Sequence, residues 1–414
     1  MSTTIPGSPV IEETTSFVRA EAAPTPRTVR LVSVDAYRGV VMLLMASEGL
    51  GISKVAEQLS NSGLWQLLRF QTDHVTWTGC ALWDLIQPSF SFLVGAALVY
   101  SFANRRARGE PYGRMLRHAI VRSVLLVLLG VFLRSDHKPQ TYWTFEDTLT
   151  QIGLGYTFLF LLADKKPRVQ LAACAVLLVG YWLAFALHPL PSAGLDYASV
   201  GVKPDFPHLT GFAAHWDKNT NFAAHFDQWF LNLFPREKPF VFNGGGYLTL
   251  SFIPTLATMI LGLLAGGVLR SENPATEKVR TFVVAGIGCL VAGFLLDKLG
   301  ICPVVKRIWT PSWTIYSGGW CFLLLAAFYY VVDVRERKRW AFPLVVVGMN
   351  SIAMYVMAHF LASIVERSLK TNLGEHFFEH IGGVYAPILE SSVVLFFLWL
   401  VCWWMYRRKL FLKI

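Results

Sequence analysis

Ten predominantly apolar runs, each close to the roughly 20 residues that carry a helix across a bilayer, leave this chain few ways to fold. They lie near 34–53, 79–102, 115–134, 149–163, 169–187, 247–269, 281–299, 313–333, 342–365 and 384–406, the fourth being short. With 54% hydrophobic and only 15% charged residues, the chain has to pair its backbone polar groups inside lipid, and helices do so within each segment. The expected fold is an all-α integral membrane protein: a bundle of about ten transmembrane helices with one long extracytoplasmic loop segment at 188–246. Residues 1–28 are polar and broken by proline, without an apolar leader core, and read as a disordered cytoplasmic tail. Residues 29–414 form the transmembrane domain.

A net charge of +10 could point to nucleic acid, but the Lys and Arg residues lie between the apolar runs and not in one patch. They gather in RRARGEPYGRMLR (105–117), DKKPR (164–168), RSENPATEKVR (270–280), RERKR (335–339) and the terminal RRKLFLKI. Those loops alternate along the chain, so the positive-inside rule puts both termini in the cytoplasm and His74 outside. In a bacterium the membrane would be the inner one. The partners implied are the lipid bilayer and no nucleic acid. The six cysteines have no paired spacing, and His208, His215 and His225 in the long loop are widely spaced with no Cys or Glu beside them. A packed or solvated loop is favoured over a metal site, and no metal is expected. FAAHWDKNTN (212–221) and FAAHFDQWF (222–230) form a local duplication too aromatic for a linker, expected to pack over the outer mouth of the bundle.

The chemistry centres on DHVTWTGCALWDLIQPSFSFLVG (73–95). An ionisable group inside a membrane segment is a functional candidate by default, and Asp84 is one. Pro88, four residues on, would clash with the Asp84 carbonyl in a continuous helix and kink it there. His74 is the natural proton acceptor at neutral pH, and Trp77 falls one heptad above Asp84. With the helix starting near 79, Asp84 lies about 15 Å deeper than His74 at 1.5 Å per residue. Glu48, in MASEGLG, is therefore the expected direct partner of the imidazole, although it could equally be a solvated helix end. Asp35 and Arg38, three apart, share a helical face at the inner mouth; a plain helix start with a cationic anchor fits them as well. Asn350, Ser351, Tyr355 and His359 put a polar stripe into an apolar helix, which suits interhelical hydrogen bonding or a lined cavity. The chain contains no P-loop, no GxGxxG, no HExxH and no Gly-x-Ser-x-Gly.

In order, SVDAYRG, WTGCALWDLIQPSFSFLVGAAL, IWTPSWT, GMNSIAMYV and RRKLFLKI resemble the transmembrane domain of the heparan-alpha-glucosaminide N-acetyltransferase family, over about residues 30 to 414. The resemblance implies an acyltransferase that moves acetyl from cytoplasmic acetyl-CoA to an amino sugar or glycan on the far side of the membrane. It implies His74 as the active-site histidine, and it matches Asp84 with Pro88, and Gly348-Met349-Asn350, to family motifs. On that reading His74, Glu48 and Asp84 are the catalytic group, while Asp35, Arg38, Trp77, Pro88, Trp313, Asn350, Ser351 and His359 contact the donor. Arg38, Arg105 and Arg106 are cations available for its phosphates. Two departures lie on the acceptor side. Gly49 beside Glu48 stands where the lysosomal enzyme has asparagine, and NGGG (243–246) stands where the family has Asp-Pro-Glu-Gly. The additional lumenal domain of the lysosomal enzyme is expected to be absent. The rival readings are a transporter or flippase for a glycan or amphiphile, and an O-acyltransferase acting on a lipid-linked or cell-wall sugar. Direct transfer and an acetyl-histidine intermediate both remain open, as does a homodimer.

Overall fold

A computed structural model describes residues 31–59, 62–192 and 194–412. The expected tail at 1–28 lies outside the described residues. From Leu31 onward the chain is one compact unit. Among the described residues there is no strand, only an isolated antiparallel bridge between Thr78 and Val305. All ten expected segments are helical: α1 (Val32–Ala46), α2 (Leu82–Ala107), α3 (Tyr112–Arg134), α4 (Thr148–Leu162), α5 (Pro167–Ala186), α6 (Thr249–Arg270), α7 (Ala275–Lys298), α8 (Pro311–Val334), α9 (Ser351–Leu373) and α10 (Phe377–Arg407). Eight are long and apolar enough to cross a membrane. α4 is shorter, and α1 crosses only together with the helical stretch Glu48–Gln58, to which it is bent by 51°. The protein is an integral membrane protein.

That bend has a local cause. Glu48, Gly49, Leu50 and Gly51 all take positive φ, of 45°, 75°, 52° and 65°. The two glycines adopt this left-handed turn without a Cβ clash, whereas Glu48 and Leu50 each cost about 1 kcal/mol. A Cβ at Gly49 would sit 3.3 Å from the Thr72 carbonyl oxygen, and one at Gly51 would run into Pro387, so the turn is wedged between two neighbouring segments.

Helices α2 and α6 form the centre. A Cβ on Gly262 would collide with the Phe92 carbonyl, one on Gly95 with the Met259 carbonyl, and one on Gly266 with that of Ala96. In lipid no hydrophobic force drives helices together, so close backbone approach through small residues four apart supplies the packing. The pair α7–α8 uses Gly286 and Gly319 in the same way. Gly39 and Gly348 let α1 lie directly on Phe342–Gly348. The single helix expected over 342–365 is two: Phe342–Gly348, a break at Met349–Asn350, and then α9. Asn350 leaves helical geometry (φ −123°, ψ 38°), and its side-chain oxygen accepts from the Leu412 N–H at 3.2 Å.

The long loop folds at one end of the bundle, called here the loop end. Its duplicated halves become a 3-10 turn, Gly211–Trp216, and an α-helix, Phe222–Phe230, capped by Asn221 accepting from the Ala224 N–H at 3.1 Å. Trp216, wholly buried, stacks on Phe185 near the end of α5. His208 pairs with Asp217 at 2.7 Å, and His188 and His225 meet at 3.1 Å. Among the described residues no group of three or more His, Cys, Asp or Glu is placed to hold a metal ion.

Candidate active site

Between the helix Gly63–Gln71 and α2 the chain runs as an irregular loop, and this decides the site. The Gly79 N–H donates to the Val304 carbonyl at 2.9 Å, and Thr78 bridges Val305, so the 73–81 loop is stapled to the connector between α7 and α8. Gly79 takes φ 109°, which a residue with a Cβ adopts only under strain. The staple brings Lys306 alongside the start of α2.

Asp84 occupies the 3-10 turn Leu82–Leu85 that opens α2. Its side chain is fully buried, and both oxygens are occupied. One lies 2.8 Å from His74 Nδ1 and 3.3 Å from Lys306 Nζ. The other accepts from the Ala81 N–H at 3.0 Å and the Val75 N–H at 3.4 Å. A carboxylate against Nδ1 selects the tautomer with the proton there, because the alternative sets a lone pair against a negative oxygen. Nε2 then carries the lone pair, on a side chain 35% exposed. Lys306 Nζ lies 3.0 Å from Nδ1 and 3.5 Å from Nε2, with its side chain only 7% exposed. Burial pushes the Lys306 ammonium down to about 8, against the opposing pull of Asp84. Arg307 ties the periphery together, donating to the Gly245 carbonyl at 2.7 Å and lying over the Tyr247 ring at 5.3 Å. Cys80 is next door, but burial, with the Asp84 charge adding to it, pushes its thiol up to about 12 and makes it a poor nucleophile.

Several expectations change here. The helix does not begin at 79, so Asp84 is not a turn-by-turn descent below His74: the intervening residues fold back and the two side chains touch. Asp84, and not Glu48, is the direct partner of the imidazole. Glu48 is exposed on the left-handed turn, and no hydrogen bond or ion pair among the described residues joins it to His74. Trp77 is not on the helical face of Asp84. It is buried in the loop, its N–H donating to the Trp216 carbonyl at 3.1 Å, with Gly246 of the NGGG turn pressed against its ring. Pro88 falls in the first turn of Ile86–Ala107, directly after the 3-10 turn Leu82–Leu85, and Leu82–Ala107 remains one span. Asp35 and Arg38 do pair, at 3.5 Å, near the opposite, cation-rich end. The polar stripe of α9 serves hydrogen bonding between segments, one of the two roles expected of it. Tyr355 donates to Asp147 at 2.7 Å, His359 stacks on Tyr355, Ser351 starts the helix half-buried, and Asn350 serves the break before it.

Sequence reasoning missed Lys306, Arg307 and Tyr247. A signal was present: Lys306 and Arg307 are adjacent cations at the loop end, where the positive-inside pattern leaves few, immediately before IWTPSWT.

Below the dyad lies a second feature. Ser91 on α2, Thr255 on α6, and Trp313, Thr314 and Ser317 on α8 are buried, and each has a side-chain polar atom with no partner among the described residues. These three helices pack against one another. Further along, Tyr37 donates to Ser89 at 2.8 Å, and Ser89 lies 3.8 Å from the Cys321 sulfur. An unpaired polar group in a membrane interior costs free energy, so these atoms are available to hydrogen-bond a polar partner.

No family model matches the chain. It is similar to the heparan-alpha-glucosaminide N-acetyltransferase of Homo sapiens, 25% identical over 424 residues covering 93% of this chain and 60% of the relative. The enzyme of the same name from Mus musculus matches with the same identity and coverage. The chain thus spans about 60% of the length of these relatives, and the likeness marks a distant family relationship.

Proposed function

We propose that this distant relative of the heparan-alpha-glucosaminide N-acetyltransferases is a membrane-embedded acetyltransferase. It takes acetyl-CoA from the cytoplasm at the cation-rich end and delivers acetyl to the amine of an amino sugar at the loop end, outside. The observation that carries this reading is the buried Asp84 holding His74 at Nδ1, beside the buried Lys306 ammonium and above the unpaired hydroxyls of α2, α6 and α8.

His74 Nε2 takes the proton from the acceptor amine as the amine nitrogen attacks the thioester carbonyl. The C–N bond forms, the C–S bond breaks, and the thiolate leaves with a proton to give CoA and an acetamide. Asp84 holds the ring in the required tautomer and compensates the imidazolium that forms. Lys306, 3.0 Å from Nδ1 and 3.5 Å from Nε2, would stabilise negative charge that develops on the carbonyl oxygen beside the ring. An acetyl-histidine route would use the same lone pair as the nucleophile. The donor fits the residues available: Ser91, Thr255, Trp313, Thr314 and Ser317 offer hydrogen bonds to the amides of its arm. Arg38, Arg105 and Arg106 are the cations for its phosphates.

The test is CoA release by the purified protein with acetyl-CoA and glucosamine, followed by the same assay in proteoliposomes with donor and acceptor on opposite sides. Release that requires the amine, across the membrane, supports the reading. A protein that does not bind acetyl-CoA would point to transport, and donor binding with no response to the amine would point to another acceptor.

A pH dependence follows from Lys306. Its ammonium is present below about pH 8 and lost above it, so turnover is expected to fall as pH rises through that value. Lys306→Arg keeps a cation far above the assay range, so the alkaline limb should vanish even if the rate drops. If the limb stays near 8 in the arginine variant, another group is responsible.

A further inference from the structure

Among the described residues five aspartates are buried: Asp35, Asp84, Asp147, Asp217 and Asp227. Four have a side chain that can carry positive charge close by: Arg38 at 3.5 Å, Lys306 at 3.3 Å, Arg134 at 3.6 Å and His208 at 2.7 Å, respectively. Asp227, on the loop helix Phe222–Phe230, is only 2% exposed and has no ion-pair partner among the described residues. An ionised carboxylate is costly to bury alone, so something else must meet this charge.

The surroundings of Asp227 are rich in oxygen. Its Oδ2 accepts from the Thr249 N–H at 2.9 Å. The Thr249 carbonyl accepts from Gln151 Nε2 at 3.2 Å, and the same amide donates to the carbonyls of Leu248 at 3.4 Å and Phe145 at 2.8 Å. Ser251 closes the 3-10 turn Thr249–Ser251 that opens α6, its N–H donating to the Leu248 carbonyl at 3.3 Å. The loop helix, the start of α6 and the first turn of α4 therefore meet at one junction. Four residues there each bring a side-chain oxygen with no hydrogen-bond partner among the described residues: Asp227 Oδ1, Thr249 Oγ1, Ser251 Oγ and Gln151 Oε1. None of the four residues is more than 5% exposed. With Gln151 Nε2 against three carbonyls, a flipped amide would set oxygen against oxygen, so the unpartnered atom is the acceptor.

We infer that this junction binds a monovalent alkali cation, which pins the long loop to the bundle. Hard cations take oxygen ligands, and the set holds no thiolate or imidazole to favour a transition metal. One carboxylate beside three neutral oxygens carries one negative charge, which one positive charge cancels. A divalent ion would leave a net charge in a poor place for it, because the flanking Ala223, Ala224, Leu248 and Leu250 belong to one buried apolar cluster. A water molecule could hydrogen-bond these oxygens but would leave the charge. A proton on Asp227 would cancel the charge without supplying a partner for more than one of the other oxygens. The inference stands apart from the acetyl-transfer reading.

The experiment is thermal melting of the full-length protein in detergent, in sodium, potassium, magnesium or choline chloride at one ionic strength. The wild type should melt about 2–5 °C higher in saturating sodium or potassium than in choline, with a hyperbolic dependence on cation concentration. Whichever of the two saturates at the lower concentration is the preferred ion. Asp227→Asn should melt alike in all four salts. Ser251→Ala and Thr249→Val, which keep the charge and lose one oxygen each, should raise the half-saturating concentration about tenfold. Equal melting temperatures of the wild type in the four salts overturn the inference and leave a proton or a water as the occupant. A sodium or potassium effect of unchanged size and midpoint in Asp227→Asn, or in both hydroxyl variants, overturns it as well. Stabilisation that needs magnesium and not the alkali ions overturns the monovalent assignment.

Discussion

Replacing His74 with alanine is expected to lower acetyl transfer by about 10³-fold, within the range that a positioned general base supplies, while acetyl-CoA binding persists. The companion variant Asp84→Asn removes the charge shared by His74 and Lys306. It should cost about 10²-fold or more in rate, because the tautomer is no longer imposed. It should also destabilise the protein by about 3–5 kcal/mol, the usual result of leaving one member of a buried ion pair alone. The double variant Asp84→Asn/Lys306→Met should recover part of that stability and none of the rate. Glu48→Gln is the comparison that separates the two carboxylates. Exposed and unattached to the imidazole, Glu48 should cost less than about tenfold when neutralised. Steady-state rates and melting curves on all four proteins decide the matter. A Glu48 variant more damaged than the Asp84 variant would mean that the working partner of His74 is not the one 2.8 Å from its Nδ1.

The largest structural effect is expected at Gly262. Its α-carbon faces the Phe92 carbonyl so closely that even a methyl group has no room. Gly262→Leu should push α6 off α2, and a folded, monodisperse protein should not be recovered from the membrane. Gly262→Ala should destabilise by about 1–3 kcal/mol, as overpacked positions do. Gly267 is the internal control: nothing lies within 4 Å of a Cβ built there, so Gly267→Ala should be neutral or stabilise by up to about 1 kcal/mol through helix propensity. Size-exclusion profiles and thermal melts read both outcomes. Tolerance of leucine at 262 would mean that α2 and α6 do not cross at these glycines.

Much of this protein could be read along the chain because membrane insertion is local. Whether a segment becomes a spanning helix depends on its own length and apolarity, so all ten runs appear as helices, even the short one at Thr148–Leu162. The Asp35–Arg38 pair, three residues apart, is fixed by helical geometry alone. His74 also stood out from sequence, as a titratable side chain just ahead of a segment carrying a carboxylate.

What surrounds His74 is a different matter. Extending the helix back to residue 79 put Asp84 out of reach, and hydropathy could not show that residues 73–81 stay irregular. They do so because Thr78 and Gly79 pair with Val305 and Val304, more than 200 positions away in the chain. The same pairing delivers Lys306 to a histidine 232 residues distant. No spacing rule relates residues that far apart. The break at Asn350 likewise answers to the chain's C-terminal end, through Leu412. The sequence by itself determined the helices and their order, because each segment's free energy of insertion is a property of its own residues. Only the tertiary structure decided which carboxylate meets the histidine and which cation joins them, because an ion pair in a buried site depends on where distant backbone hydrogen bonds place its members.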